Sequence, residues 1–157
     1  MVAIAKVKTE YDAITYKIIG AAMNVRKALG PGFPEEVYQK ALAVELAKQD
    51  LSFEREKPIE VFYQDAAVGL FYLDFLVEDA IVVELKAVNG LTTLHQQQTI
   101  SYLAASGREV ALLINFGGPD LEYKRLLPPK SMQENEAYKR RVLSWKTTWQ
   151  VSRLNRS

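Results

Sequence analysis

Cysteine is absent from this sequence, and histidine occurs once, at His95. The first absence excludes disulfides, thiolate zinc sites, iron–sulfur clusters and cysteine nucleophiles. The second excludes a metal site built from several imidazoles. No apolar run approaches the ~18–20 residues that a membrane span requires. Residues 1–6 lack the long apolar stretch of a signal peptide, so a cytoplasmic protein is expected. An excess of charge is missing too. Twenty basic and 19 acidic residues give a net charge of +1, which by itself points to no partner. The distribution is uneven, however: residues 137–157 carry six basic side chains and no acid, leaving the remainder net acidic.

What is present is a folded chain of 157 residues, 48% of them apolar, with enough length for one core. Residues 1–129 read as a single domain and 130–157 as a basic, helical C-terminal tail. Ile14, Ile18, Ala21, Ala22, Val25 and Leu29 recur at helical spacing and predict a helix over about 9–29. Gly30-Pro31-Gly32 ends it, and a second helix runs from Pro34 to about 49. The period then changes to two. Short strands are expected over 53–56 and 59–63, on either side of Pro58, followed by strands over 68–77 and 80–88. Thr93 and Gln96 have capping-box spacing and open a helix over about 94–105. Strands over 110–116 and 121–127 follow. The order helix, helix, three or four strands, helix, two strands implies an α/β fold with a mixed central sheet flanked by helices.

Three charged residues interrupt apolar strands. Asp74 lies within Leu70-Phe71-Tyr72-Leu73-Asp74-Phe75-Leu76-Val77, and Glu84 and Lys86 lie within Ile81-Val82-Val83-Glu84-Leu85-Lys86-Ala87. Buried charge is costly, so three together need partners. Glu84 and Lys86 share one face of their strand. With a tight turn at Glu78-Asp79, Val77 faces Ile81 and Asp74 faces Glu84, with Cβ atoms ~4.5–5.5 Å apart. Two such carboxylates repel unless a cation lies between them, and their hard oxygens suit Mg²⁺ or Mn²⁺. With a lysine beside them, they suit phosphodiester hydrolysis. A salt bridge inside a sheet accounts for the same residues. A second Glu-x-Lys, at Glu122 and Lys124, has no aspartate on a preceding strand and reads as a solvated face.

The aspartate, the hairpin turn and the Glu-x-Lys in an apolar strand resemble the PD-(D/E)xK nuclease superfamily. Gly32-x-x-Glu35-x-x-Tyr38 resembles the signature of its small bacterial and archaeal GxxExxY family. The likeness continues through Phe53-Glu54-Arg55-Glu56, the Glu84 strand, residues 95–103 and Leu112-Leu113-Ile114-Asn115-Phe116-Gly117, covering about 11–127. Gln98-x-x-x-Tyr102 resembles a motif of RecB-type members.

The resemblance implies a restriction-endonuclease-like core and a nuclease dependent on Mg²⁺ or Mn²⁺. Asp74, Glu84 and Lys86 would be its catalytic residues, and Asp74, Glu84 and the Leu85 carbonyl its metal ligands. Glu35, Gln98, Tyr102 and His95 would be auxiliary. The substrate would be nucleic acid, DNA before RNA. Each auxiliary residue also has a plainer role. Glu35 suits the first turn of a helix, Gln98 and Tyr102 a solvated helix face, and His95 a structural hydrogen bond. A nuclease-fold module that binds nucleic acid or a protein without cutting is the alternative. In the tail, Tyr138, Val142, Trp145 and Trp149 form a helical seam among basic residues. That seam could meet nucleic acid, dock on the domain or join a homodimer.

Overall fold

A computed structural model of the chain describes residues 2–155, with side chains described from Glu10 onward. Its elements are α1 (Val2–Leu29), α2 (Glu35–Lys48), β1 (Phe53–Tyr63), β2 (Ala66–Val77), β3 (Ile81–Lys86), α3 (Thr93–Ser106), β4 (Val110–Asn115), β5 (Glu122–Leu126), α4 (Lys130–Gln133) and α5 (Glu136–Leu154). The five strands form one sheet in the order β1-β2-β3-β4-β5. Only β3 and β4 are parallel; every other neighbouring pair is antiparallel. A parallel pair needs a crossover, and α3 supplies it.

The two central strands are buried along nearly their whole length, as their unbroken apolar runs require. Helices α1 and α2 cover one face, where Ile18, Val25, Leu42 and Leu46 pack on Phe75, Val83, Leu85 and Ile114. On the other face, Leu103 of α3 packs on Leu73, Leu76, Val82 and Ala111. No helix among the described residues is long and apolar enough to cross a membrane.

Three details differ from the sequence expectation. Helix α1 begins at Val2, earlier than the apolar pattern signals. Strand β1 is continuous through Pro58, which pairs with Tyr72. Proline has no N–H to give to a ladder, which breaks a strand paired on both sides, but β1 is the sheet edge and has only one neighbour. The capping box of α3 uses Thr92 and His95 rather than Thr93 and Gln96. Thr92 Oγ1 accepts from the His95 N–H at 3.3 Å, and His95 Nδ1 accepts from the Thr92 N–H at 3.0 Å.

Two further features place the site. Leu73 and Phe75 are two residues apart, yet they bury on opposite faces of the sheet. Opposite the residue between them, Glu56 takes a left-handed φ of 55°. The β1–β2 ribbon therefore rotates at Asp74. Beyond β3, the fully buried Asn115 pins the outgoing chain. Its Oδ1 accepts from the N–H groups of Val88 (2.9 Å) and Gly117 (3.1 Å), and its Nδ2 donates to the Val88 carbonyl at 2.9 Å. Gly117 lies against that same segment: a Cβ there would sit 2.5 Å from Val88 N and O. Gly117→Ala should therefore cost about 2–3 kcal/mol by overpacking. Urea denaturation would show this as a lower midpoint at constant slope; an unchanged midpoint would refute the close packing.

Candidate active site

Strands β2 and β3 pair as Val77↔Ile81, Leu76↔Val82 and Phe75↔Val83. This is the register that the short Glu78-Asp79 turn dictates, and one more step along it brings Asp74 opposite Glu84. There the backbone ladder stops and the side chains take its place. The Asp74 N–H donates to Glu84 Oε1 at 3.1 Å, and the Leu85 N–H donates to Asp74 Oδ2 at 2.8 Å. The two strands fork, and a carboxylate from each caps an amide of the other.

Two helices reach into this fork. From α2, Gln39 Nε2 donates to Asp74 Oδ1 at 3.2 Å. From α3, Gln98 Oε1 accepts from Lys86 Nζ at 3.3 Å. Tyr102, one helical turn beyond Gln98, stacks on Phe71 of β2 with centroids 4.0 Å apart and rings tilted by 16°. Its hydroxyl pKa is raised by burial and then by the Glu84 and Asp74 charges, so it faces the same cluster.

Glu84 is only 6% exposed. Burial first, and then the Asp74 charge, push its carboxyl up to about 9. Burial also raises Asp74, against the lowering effect of the Leu85 amide, Glu84, Lys86 and Gln39. Glu35 remains solvent-accessible, but partial burial and then the Asp74 charge raise it, with Lys86 opposing. The first turn of α2 thus points an acid toward the fork.

These shifts have a consequence for stability. Between the unfolded and folded pKa values of Glu84, the folded state binds more protons, so stability falls as pH rises. The metal-free protein should lose stability from about pH 4.5 to about pH 9, and thermal melts across that range would check it. A flat or rising profile would mean that Glu84 is not held in its neutral form.

The donor set fits a hard divalent cation. A buried and a half-buried carboxylate that resist ionising side by side gain most from a positive charge between them. Among the described residues no three Asp, Glu or His side chains cluster closely enough to hold an ion unaided. Magnesium commonly binds through one or two carboxylates, completing its shell with water and substrate phosphate.

Of the residues singled out from the sequence, Asp74, Glu84, Lys86, Gln98 and Tyr102 converge here, with Glu35 at the margin. His95 does not join them; its Nδ1 is occupied in the α3 cap. Tyr38 is fully buried, stacks on Phe116 at 4.7 Å and donates its hydroxyl to the Gly30 carbonyl at 2.6 Å, tying the Gly-Pro-Gly turn to α2. Gln39 escaped the sequence reading. The available signal was a lone amide among Tyr38, Leu42 and Leu46 on the buried face of α2, four residues after Glu35. A pocket of about 930 Å³ lies elsewhere, between α1, the start of β4 and α5, with Tyr11, Val110 and Leu143 in its walls.

Residues 12–126 match a family model described as the PD-(D/E)XK nuclease superfamily. No curated protein and no solved structure matches the chain.

Proposed function

This chain belongs to the PD-(D/E)XK nuclease superfamily, and on that premise we propose that it is a divalent-metal-dependent phosphodiester hydrolase of the GxxExxY type, acting on nucleic acid with DNA as first substrate. The observation that carries this reading is the strand fork, where Asp74 and Glu84 meet with raised pKa values beside Lys86. A purely structural pair gains little from holding a second carboxyl against the buried Glu84.

Asp74 and Glu84, with the Leu85 carbonyl, are the groups that would hold Mg²⁺ or Mn²⁺. When bound, such an ion supplies Lewis acidity and neutralises charge on the phosphoryl oxygens. The protein's own groups do the remaining work. The backbone amides of Asp74 and Leu85 and the amide of Gln39 fix the carboxylate oxygens before any ligand arrives. Lys86, steadied by Gln98, presents an ammonium that can orient an attacking water and stabilise the charge that builds on phosphorus. Glu35, raised by partial burial and then by the Asp74 charge, adds a further acid beside the fork. Tyr102 braces β2 against α3 beside it.

The test is cleavage of DNA and RNA by purified protein with Mg²⁺, with Mn²⁺ and with chelator. Metal-dependent cleavage that disappears with Lys86→Ala supports the reading. Stabilisation by metal without cleavage of either polymer favours a nuclease-fold module that binds and does not cut.

A further inference from the structure

A second cluster of charge lies where the C-terminal end of α3 meets α5, and nothing in the mechanism uses it. The two helices come together at Gly107, whose φ is 69° and where a Cβ would lie 2.7 Å from Arg141 Cβ. This close approach creates a pocket of about 670 Å³ walled by Arg108, Arg140, Arg141, Ser106, Ser144 and Thr148. Arg108 is held rigidly. It donates to the Asp79 carbonyl (2.9 Å), to Asp79 Oδ1 (2.8 Å) and to the Ser106 carbonyl (2.7 Å), and its guanidinium lies 4.7 Å from the Trp145 ring centroid. Arg141 spends Nε on the Ala104 carbonyl at 3.0 Å, which leaves its outer nitrogens uncommitted. Neither Arg140 nor Arg141 has an ion-pair partner among the described residues. The one carboxylate in the walls, Asp79, is engaged by Arg108.

With Asp79 engaged, the guanidinium of Arg140 and the outer nitrogens of Arg141 have no ion-pair partner among the described residues, so the pocket carries an excess of positive charge, and its complement is a ligand that brings oxygen acceptors and negative charge. The last carbonyls of α3 would repel an anion, but those of Ala104 and Ser106 are already covered by guanidinium N–H groups.

We propose that this pocket binds a backbone phosphate of the nucleic acid, at a distance from the bond to be cut. The proposal rests on the nuclease reading and deepens it. Helix α3 is the ruler: Gln98 touches Lys86, and Ser106, eight residues on, lines the pocket. Eight residues span ~12 Å along a helix, a distance that a few nucleotides of one strand can bridge. Guanidinium groups suit the task because their forked donors match phosphate oxygens.

Arg140 is exposed and uncommitted, so its replacement leaves packing intact. The experiment measures binding of fluorescein-labelled single-stranded DNA of three to twenty nucleotides to the full-length protein. It is run in chelator over a range of salt, for wild type, Arg140→Glu and Arg140→Lys. Wild type should gain affinity on lengthening from three to eight nucleotides. Arg140→Glu should lose that gain, bind the 20-mer about tenfold more weakly and show a salt slope shallower by about one. Arg140→Lys should restore most of both. Equal affinities and slopes for wild type and Arg140→Glu, or no binding by wild type, overturn the proposal. So does quenching of tryptophan fluorescence by inorganic phosphate with DNA affinity unaffected by Arg140→Glu, which would mark a site for free phosphate alone. Because chelator prevents cleavage, an inactive wild type would sink the nuclease reading and leave this result standing.

Discussion

Glu84→Gln should lower metal-dependent cleavage by at least ~10²–10³-fold, the usual cost of losing a preorganised electrostatic group. The same substitution should raise the melting temperature of the metal-free protein at pH 8. Glu84 is buried with its carboxyl pushed up to about 9, so at pH 8 the folded state must keep it largely protonated against a solvent that would ionise it. Glutamine has the same shape and no charge. Its oxygen can accept from the Asp74 N–H, and its amide can face the Asp74 carboxyl. The gain should be about 1–3 kcal/mol, which is several degrees for a chain of this size.

Asp74→Asn should behave differently. Asp74 uses both oxygens, one for the Leu85 N–H and one for Gln39. Asparagine has a single oxygen, so one of those donors loses its acceptor, and activity should fall with no gain in stability. Millimolar Mn²⁺ should then stabilise the wild type at pH 8 and leave Glu84→Gln unmoved. Equal cleavage by wild type and Glu84→Gln would remove this pair from the active site. A fall in melting temperature would show that the native state needs the ionised carboxylate.

Trp149→Ala should cost about 3–5 kcal/mol, the largest stability loss expected from one side chain here. Trp149 is 3% exposed and belongs to the main core cluster. Its ring centroid lies 5.5 Å from that of Tyr11 and 5.6 Å from that of Trp145, and its N–H donates to the Glu78 carbonyl at 2.8 Å. Arg153 covers the ring at 4.9 Å and pairs with Glu10 and Glu78. Helix α5 thus clasps α1 to the β2–β3 turn, the same turn that sets Asp74 against Glu84. Leu143, 68% exposed on the same helix, is the control, and its alanine variant should change stability by less than ~0.5 kcal/mol. Urea midpoints for the two variants decide the matter. Equal midpoints would make α5 an appendage rather than a wall of the core.

The element order and the Asp74–Glu84 register were legible in the sequence because both depend on local rules. Apolar periodicity separates helix from strand. A three-residue turn leaves one pairing for the strands on either side, and a slip by one position would turn every apolar side chain outward. The seam of Tyr138, Trp145 and Trp149 was legible as a stripe, but its seat on Tyr11 and Glu78 was not. A stripe states that it must be covered and does not state by what.

By itself, then, the sequence determined an α/β chain with a mixed sheet, a charged trio on two adjacent strands and a motif order that places it among nuclease-like proteins. Tertiary structure alone decided that β1 is an edge able to carry Pro58, that the ribbon turns over at Asp74, that Gln39 reaches Asp74, and that His95 closes a cap rather than entering the site. It also decided that Arg140 and Arg141 face Arg108 across Gly107. The reason is one of range. Periodicity and turns act over a few neighbouring residues, whereas edges, helix-to-strand reach and pockets arise only when segments tens of residues apart share the same space.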